Sequence, residues 1–366
     1  MSWVLAFLGF AALIVLHEFG HFTAAKAVGM RVERFALFFP PLLFKVKRGE
    51  TEYGIGAIPL GGYVKITGMN PNEEVPPEAV DRAYYKQPVW KRIVVISAGP
   101  AMNFLIAFVL LWAIFWSNGF TDSTKQVDKV TPGSPAAQVL RPGESIVAVD
   151  GRTGPIATLS KQIGTHKCAG APTDGCLAAT PAVLTVRRVV DDNGTLRTVT
   201  RTVEARPRYE ADARRTLLGF NFGQRTIPIG PFDAVQRSVS AMWEVGTKTV
   251  TSISKLFYDE QARKQVSGVV GSYEATRQSF DFNTTRALFV LAIISLSLAI
   301  VNLFPFLPLD GGHIFWALAE KVRGHPISYR VMERASVVGF ALVIFLFAVG
   351  LSNDIGRLNG EGFGVR

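Results

Sequence analysis

At 366 residues the chain has room for two or three domains of ordinary size. It is 48% hydrophobic and only 19% charged, with a mean hydropathy of +0.24, high for a soluble protein and pointing to membrane spans. The net charge of +10 fits Lys and Arg flanking membrane spans; with no basic helix or aromatic RNA motif, nucleic acid is excluded as a partner.

The first apolar stretch, Trp3 to about Val28, is interrupted by His17, Glu18 and His21. It resembles a signal sequence but lacks a basic leader and a small-residue cleavage site, so it reads as a retained transmembrane helix. The loop that follows carries a run of Lys and Arg from Lys26 to Arg92, which marks it as cytoplasmic. Within it, Phe44–Arg48, Gly49-Glu50 and Thr51–Ala57 read as a hairpin, and Ile58 to Ile66, through Gly61, Gly62 and Tyr63, continues extended. This ribbon is too apolar to be purely solvated and is expected to associate with the membrane.

A second span is expected from about Ile93 to Trp116, a third near Arg286 to Phe304 and a fourth near Ala335 to Leu351. Each is roughly long enough to cross a ~30 Å hydrocarbon core. Lys321, Arg323, Arg330 and Arg334 place the loop after the third span in the cytoplasm. The segment between the second and third spans is then extracytoplasmic, as is the C-terminal tail.

That segment opens with a soluble β-rich module over 121–206. Val127–Val130, Ser145–Val149, Ala182–Val190 and Leu196–Glu204 read as strands, and Asp150-Gly151 and Asp192-Asn193-Gly194 as turns. Pro132 to Ala137 reads as a turn capping a short helix. Cys168 and Cys176 both fall here, on the oxidising side, as a candidate loop-closing disulfide. Residues 207–285 read as a linker. Its stretch 233–258 spaces Val235, Val239, Met242, Trp243, Val250, Ile253 and Phe257 as a helix lying at the membrane surface. The fold class is a multi-pass α-helical membrane protein of about four transmembrane helices, with a membrane-associated β-hairpin and one inserted extracytoplasmic α+β domain. Its divisions fall at 1–118, 121–206, 207–285 and 286–366.

His17-Glu18-Phe19-Gly20-His21 is an H-E-x-x-H motif. Imidazoles at i and i+4 share one helix face and can bind one Zn²⁺, with Glu18 beside them to take a proton from water. Ionisable groups inside a span are costly and usually functional. A catalytic zinc needs a third protein ligand. Asp310, in the run Asn302 to Gly312, is the best candidate, although an Asp-Gly after a span is also an ordinary turn.

These residues resemble the site-2 protease family of intramembrane zinc metalloproteases, in its bacterial PDZ-containing, RseP-like and Rip-like branch. The likeness rests on His17 to His21, on Gly99-Pro100-Ala101-Met102-Asn103, and on Asn302…Pro305…Leu309-Asp310-Gly311, with a PDZ-like module between the second and third spans. It covers nearly the whole chain. It implies Asp310 as the third zinc ligand and Asn302 as a contact to the substrate backbone. The Gly61-Gly62-Tyr63 ribbon would be the β-loop near the active site, able to pair with an unwound substrate. It further implies a bacterial plasma (inner) membrane location and membrane-embedded, single-span protein substrates such as anti-sigma factors or signal-peptide remnants. Two departures stand out: the branch often carries two PDZ modules where this chain has room for one, and Ser267-Gly268-Val269-Val270-Gly271 has Val269 where Pro is usual. His313 reads as a supporting or capping residue. The PDZ-like module either binds peptide or filters substrates by size. The rival readings are a non-catalytic PDZ-bearing membrane scaffold and a metal transporter; the intact His17, Glu18, His21 and Asp310 argue against the first, and the few polar residues in the second and fourth spans against the other.

Overall fold

The computed structural model describes residues 1–70, 73–192, 195–211, 213, 215–256, 258–325 and 327–359. The chain divides into two compact units, Met1–Ser117 with Gly230–Arg366, and Asn118–Ile229. In the first, four helices among the described residues are long and apolar enough to cross a membrane. They are α1 (Ser2–Ala27), α2 (Val89–Asn118), α7 (Thr284–Asn302) and, from Arg330, α9 (Tyr329–Asn359). The remaining helices of this unit are α4 (Pro231–Lys255), α5 (Glu260–Gln265), α6 (Val269–Phe282) and α8 (Asp310–Arg323).

The third apolar helix stops at Asn302 rather than running to Phe304. Pro305 and Pro308 follow, and a residue without an N–H cannot continue a helical ladder. Asp310 therefore opens a separate helix, where a carboxylate complements the positive N-terminal dipole. The intervening turn is tight: a Cβ on Gly311 would lie 2.2 Å from the Leu303 carbonyl oxygen. Arg92 grips Glu320 of α8 with two hydrogen bonds, of 2.9 and 2.6 Å, tying the start of α2 to the helix that carries Asp310.

The ribbon between the first two apolar helices is longer than the hairpin expected from Phe44. It comprises β1 (Val32–Arg48) and β2 (Thr51–Ile66), and it folds back on itself. Residues 34–37 pair on one side with 62–65 and on the other with 52–55, while 42–48 pair with 51–56. Pro40 and Pro41, which cannot donate to a ladder, mark the fold-back. Among the described residues the segment 62–66 pairs only with 32–37, so it forms an edge.

α4 packs on α7 and exposes Val235, Val239, Trp243 and Val250, as expected of an amphipathic surface helix; Phe257 lies outside the described residues. The Ser267–Gly271 element forms the entry to α6. Val269 is its first residue, a position where Pro is tolerated because that N–H has no intrahelical partner, so Val in place of Pro leaves the element intact. The buried Asp354 of α9 caps this entry, accepting from the Gly268 and Gly271 N–H groups at 3.1 and 2.7 Å.

The second unit is an antiparallel sheet of order β10-β3-β4-β6-β7, with β5 beside β4. Its strands are β3 (Phe120–Val130), β4 (Ser145–Val149), β5 (Arg152–Thr153), β6 (Ala182–Asp192), β7 (Thr195–Ala205) and β10 (Phe220–Ile227). The small pair β8 (Arg208–Glu210) and β9 (Arg215–Leu217) stands apart. Helix α3 (Ile156–Ile163) covers the sheet with Leu159 and Ile163 against Val127, Ile146, Leu184 and Leu218. Residues 207–229 thus add strands to this unit instead of linking it onward, because Phe220 and Phe222 pack on its core and β10 pairs with β3. The turn expected at Asn193-Gly194 lies outside the described residues. Cys168 and Cys176 are joined in a disulfide.

At the end of β4, Asp150 accepts from the Val183 N–H, the Gln162 amide and His166. Burial opposes its ionisation, but these donors win and hold its carboxyl below the usual carboxylate range. A lowered folded pKa contributes stability that is complete above the unfolded value of about 3.9 and is lost as pH falls through the folded one. Asp150→Asn is expected to lower the thermal midpoint of the purified protein at pH 7 and to shrink the difference between midpoints at pH 7 and pH 3, followed by scanning fluorimetry.

Candidate metal centre

Placing two imidazoles inside an apolar helix leaves their ring nitrogens in need of partners. α1 presents His17 and His21 on one face, both buried, with their Nε2 atoms 3.3 Å apart. Asp310 reaches the same point from the start of α8, with Oδ2 3.4 Å from His17 Nε2 and Oδ1 3.5 Å from His21 Nε2. Among the described residues these three make a group able to hold a metal ion, their ligand atoms all within 4.8 Å of one another. His313 is outside that group. Ligands about 2.0–2.1 Å from a tetrahedral zinc stand about 3.3–3.4 Å apart, and the imidazole pair and the imidazole–carboxylate contacts, one to each Asp310 oxygen, lie close to this. Asp310 Oδ2 is buried without a hydrogen-bond partner, an orphaned polar atom that a metal ion would satisfy. Two nitrogens and a carboxylate oxygen are also the donor chemistry zinc takes. The residues fit the ion.

The geometry depends on α2 coming very close to α1. A Cβ on Gly20 would lie 2.3 Å from the Ala98 carbonyl oxygen, and a Cβ on Gly99 would lie 2.2 Å from His21 Nε2. With Gly at both positions, the His21 ring enters the face of α2, and its Nδ1 sits 2.9 Å from the Val95 carbonyl oxygen. A carbonyl can only accept, so Nδ1 carries the proton and Nε2 offers its lone pair to the centre.

Glu18 lies one residue after His17 and three before His21, and faces the ribbon. A Cβ on Gly62 would be 2.1 Å from Glu18 Cγ and 3.0 Å from its Oε1. Glycine at 62 is what lets the edge segment pass directly over the carboxylate. Gly61 has φ +144°, a conformation only glycine adopts readily, and its nearest contact is the Phe39 ring. Tyr63 packs its ring at a tilt against Phe39, with ring centroids 5.6 Å apart. Asn302 ends α7 with its amide nitrogen 3.5 Å from His17 Nε2, beside the donor set. The structure therefore gathers His17, Glu18, His21, Asp310, Asn302 and Gly62 at one place; Cys168 and Cys176 belong to the other unit.

Sequence reading did not assign Gly99 its clearance or the Val95 carbonyl its role. The first was signalled by the Gly99 to Asn103 motif; a backbone carbonyl leaves no signal. Gly99→Ala is expected to weaken zinc binding by about tenfold or more, measured by competition with a chromophoric chelator. Gly9→Ala, on the α1 helix that carries the histidines and meeting only the tip of the Leu291 side chain, should leave zinc affinity unchanged.

The sequence profile of peptidase family M50 matches residues 5–346. The chain is 28% identical to the Regulator of sigma-E protease RseP of Salmonella typhimurium over 447 aligned positions, covering 97% of this chain and 99% of that protein. It is 28% identical to Protease RseP of Yersinia pestis, with 94% and 96% covered. It is 29% identical to Zinc metalloprotease Rip1 of Mycobacterium tuberculosis, with 93% and 94% covered. The Salmonella alignment is longer than this chain, so that relative has stretches with no counterpart here.

Proposed function

The chain belongs to peptidase family M50, and on that premise we propose that this zinc metalloendopeptidase cuts the transmembrane segments of single-span proteins, with His17, His21 and Asp310 as ligands and Glu18 as proton carrier. The observation that carries the reading is the donor set, with His17 Nε2 and His21 Nε2 3.3 Å apart and lying 3.4 and 3.5 Å from Asp310 Oδ2 and Oδ1 respectively, built on a helix apolar enough to span a membrane.

Zinc, when bound, supplies Lewis acidity toward the scissile carbonyl and the attacking water. Glu18 takes the proton from that water on its carboxylate and passes it to the leaving amide nitrogen. The segment 62–66 offers an unpaired strand edge directly above Glu18. A substrate helix must unwind to be cut, and pairing with this edge replaces the backbone hydrogen bonds it loses in a medium without water. Gly61, Gly62 and Tyr63 form the approach to that edge. Asn302, at the end of α7, holds its amide beside His17, where it orients the substrate backbone.

The Lys and Arg of the 26–92 loop support a bacterial inner-membrane reading with the ribbon and metal centre toward the cytoplasm and the unit over 118–229 outside. That unit is read as a PDZ-like module, single where the Salmonella relative is longer. It receives substrates already trimmed outside the membrane, by binding their new ends or by excluding bulky ones. Relatives named as sigma-E regulators support anti-sigma factors as one substrate class, with signal-peptide remnants as another. In the bilayer, α4 lies along the surface with Trp243 toward lipid headgroups.

Glu18→Gln is expected to lower cleavage of a single-span substrate reconstituted in liposomes by about 10²-fold or more, while zinc content stays at wild-type level. In cells, the single-span proteins that accumulate with this variant identify the substrates. Undiminished cleavage by the purified variant contradicts the assignment.

A further inference from the structure

Asn103 closes the Gly99 to Asn103 motif, and no step of the proposed reaction uses it. It is wholly buried, and a carboxamide among apolar helices is costly unless its polar ends are used. Its backbone carbonyl accepts from Ser295 Oγ at 3.0 Å, which joins α2 to α7. Its side-chain amide faces His17: Nδ2 lies 3.0 Å from the ring Nδ1, and Oδ1 has no hydrogen-bond partner.

A neutral imidazole carries one N–H and one lone pair. For His17 Nε2 to face the metal with its lone pair, the proton must sit on Nδ1, and the group opposite Nδ1 must then be an acceptor. The group opposite is the Asn103 amide, whose oxygen end is otherwise unused. A half-turn about the last side-chain bond exchanges the two ends and brings Oδ1 to Nδ1. His21 is already held in the equivalent way, its Nδ1 against the Val95 carbonyl oxygen at 2.9 Å. Eight residues apart on α2, a backbone carbonyl and a side-chain amide thus stand behind the two imidazoles.

We propose that Asn103 is the positioning residue that sets the tautomer of His17, its Oδ1 accepting the Nδ1–H so that Nε2 is left as a lone pair for zinc. The inference rests on His17 being a zinc ligand.

The test measures zinc affinity of the purified full chain by chelator competition, together with ¹⁵N NMR of the His17 ring. Asn103→Leu, which keeps the bulk and removes the acceptor, is expected to weaken zinc binding 10- to 100-fold, roughly the loss usual for a lost partner behind a ligand, and to populate both His17 tautomers. Asn103→Asp keeps an acceptor and should retain near-wild-type affinity with a single Nδ1–H signal. Ser295→Ala loosens the same helix contact without touching the amide and should bind zinc normally. Wild-type affinity and a single tautomer in Asn103→Leu overturn the proposal, as does an equal loss in Ser295→Ala, which would assign the effect to helix packing. His17→Ala separates the underlying reading: if it binds zinc as tightly as wild type, the ligand assignment itself fails, whatever Asn103 does.

Discussion

Two imidazoles and a carboxylate are held within 3.5 Å of one another in the interior of a bundle of apolar helices. In a medium that solvates charge poorly, such a cluster is stable only when something positive is shared among its lone pairs. Most of the unusual sequence in the first unit can be traced to that requirement. Gly20 and Gly99 let α2 press against α1 until the His21 ring meets a backbone carbonyl. Pro305, Pro308 and Gly311 stop α7 and restart the chain as α8 at the depth of the histidines, so that Asp310 arrives at the head of a helix. The Arg92–Glu320 pair then fixes α8 against α2 from the other end.

The second constraint is substrate form. A peptide bond is attacked in an extended strand, whereas a membrane span arrives as a helix whose backbone is internally satisfied. A strand edge close to Glu18 answers this, and the folded ribbon supplies one at 62–66. Glycine at 62 brings that edge into contact with Glu18, where any side chain would collide with it. The strand edge, Glu18 and the donor set therefore form one arrangement.

Much of this was legible in the sequence for physical reasons. Four apolar stretches stand out because a span tolerates few charges, and H-E-x-x-H stands out because i, i+4 spacing on a helix is itself the ligand geometry. Asp310 was legible only through its motif, since nothing local distinguishes a ligand from an Asp-Gly turn. The double fold of β1 and β2 was not, because strand pairings across Pro40 and Pro41 follow from register rather than composition. Nor was the extent of the second unit: β3 is largely exposed and polar between Thr121 and Gln126, and its pairing with β10 joins segments about a hundred residues apart. Asp354 was hidden in a helix tail, and its role as cap to α6 emerges only when residues 268 and 271 are brought to it.

Zinc K-edge X-ray absorption of the purified protein tests the central claim most directly, because it reads the donor atoms themselves. Two imidazole nitrogens and oxygen ligands at about 2.0–2.1 Å in a four-coordinate shell are expected, with one imidazole lost in His17→Ala and one oxygen altered in Asp310→Ala. A sulfur-containing or six-oxygen shell, or a spectrum unchanged by either substitution, contradicts the assignment of His17, His21 and Asp310.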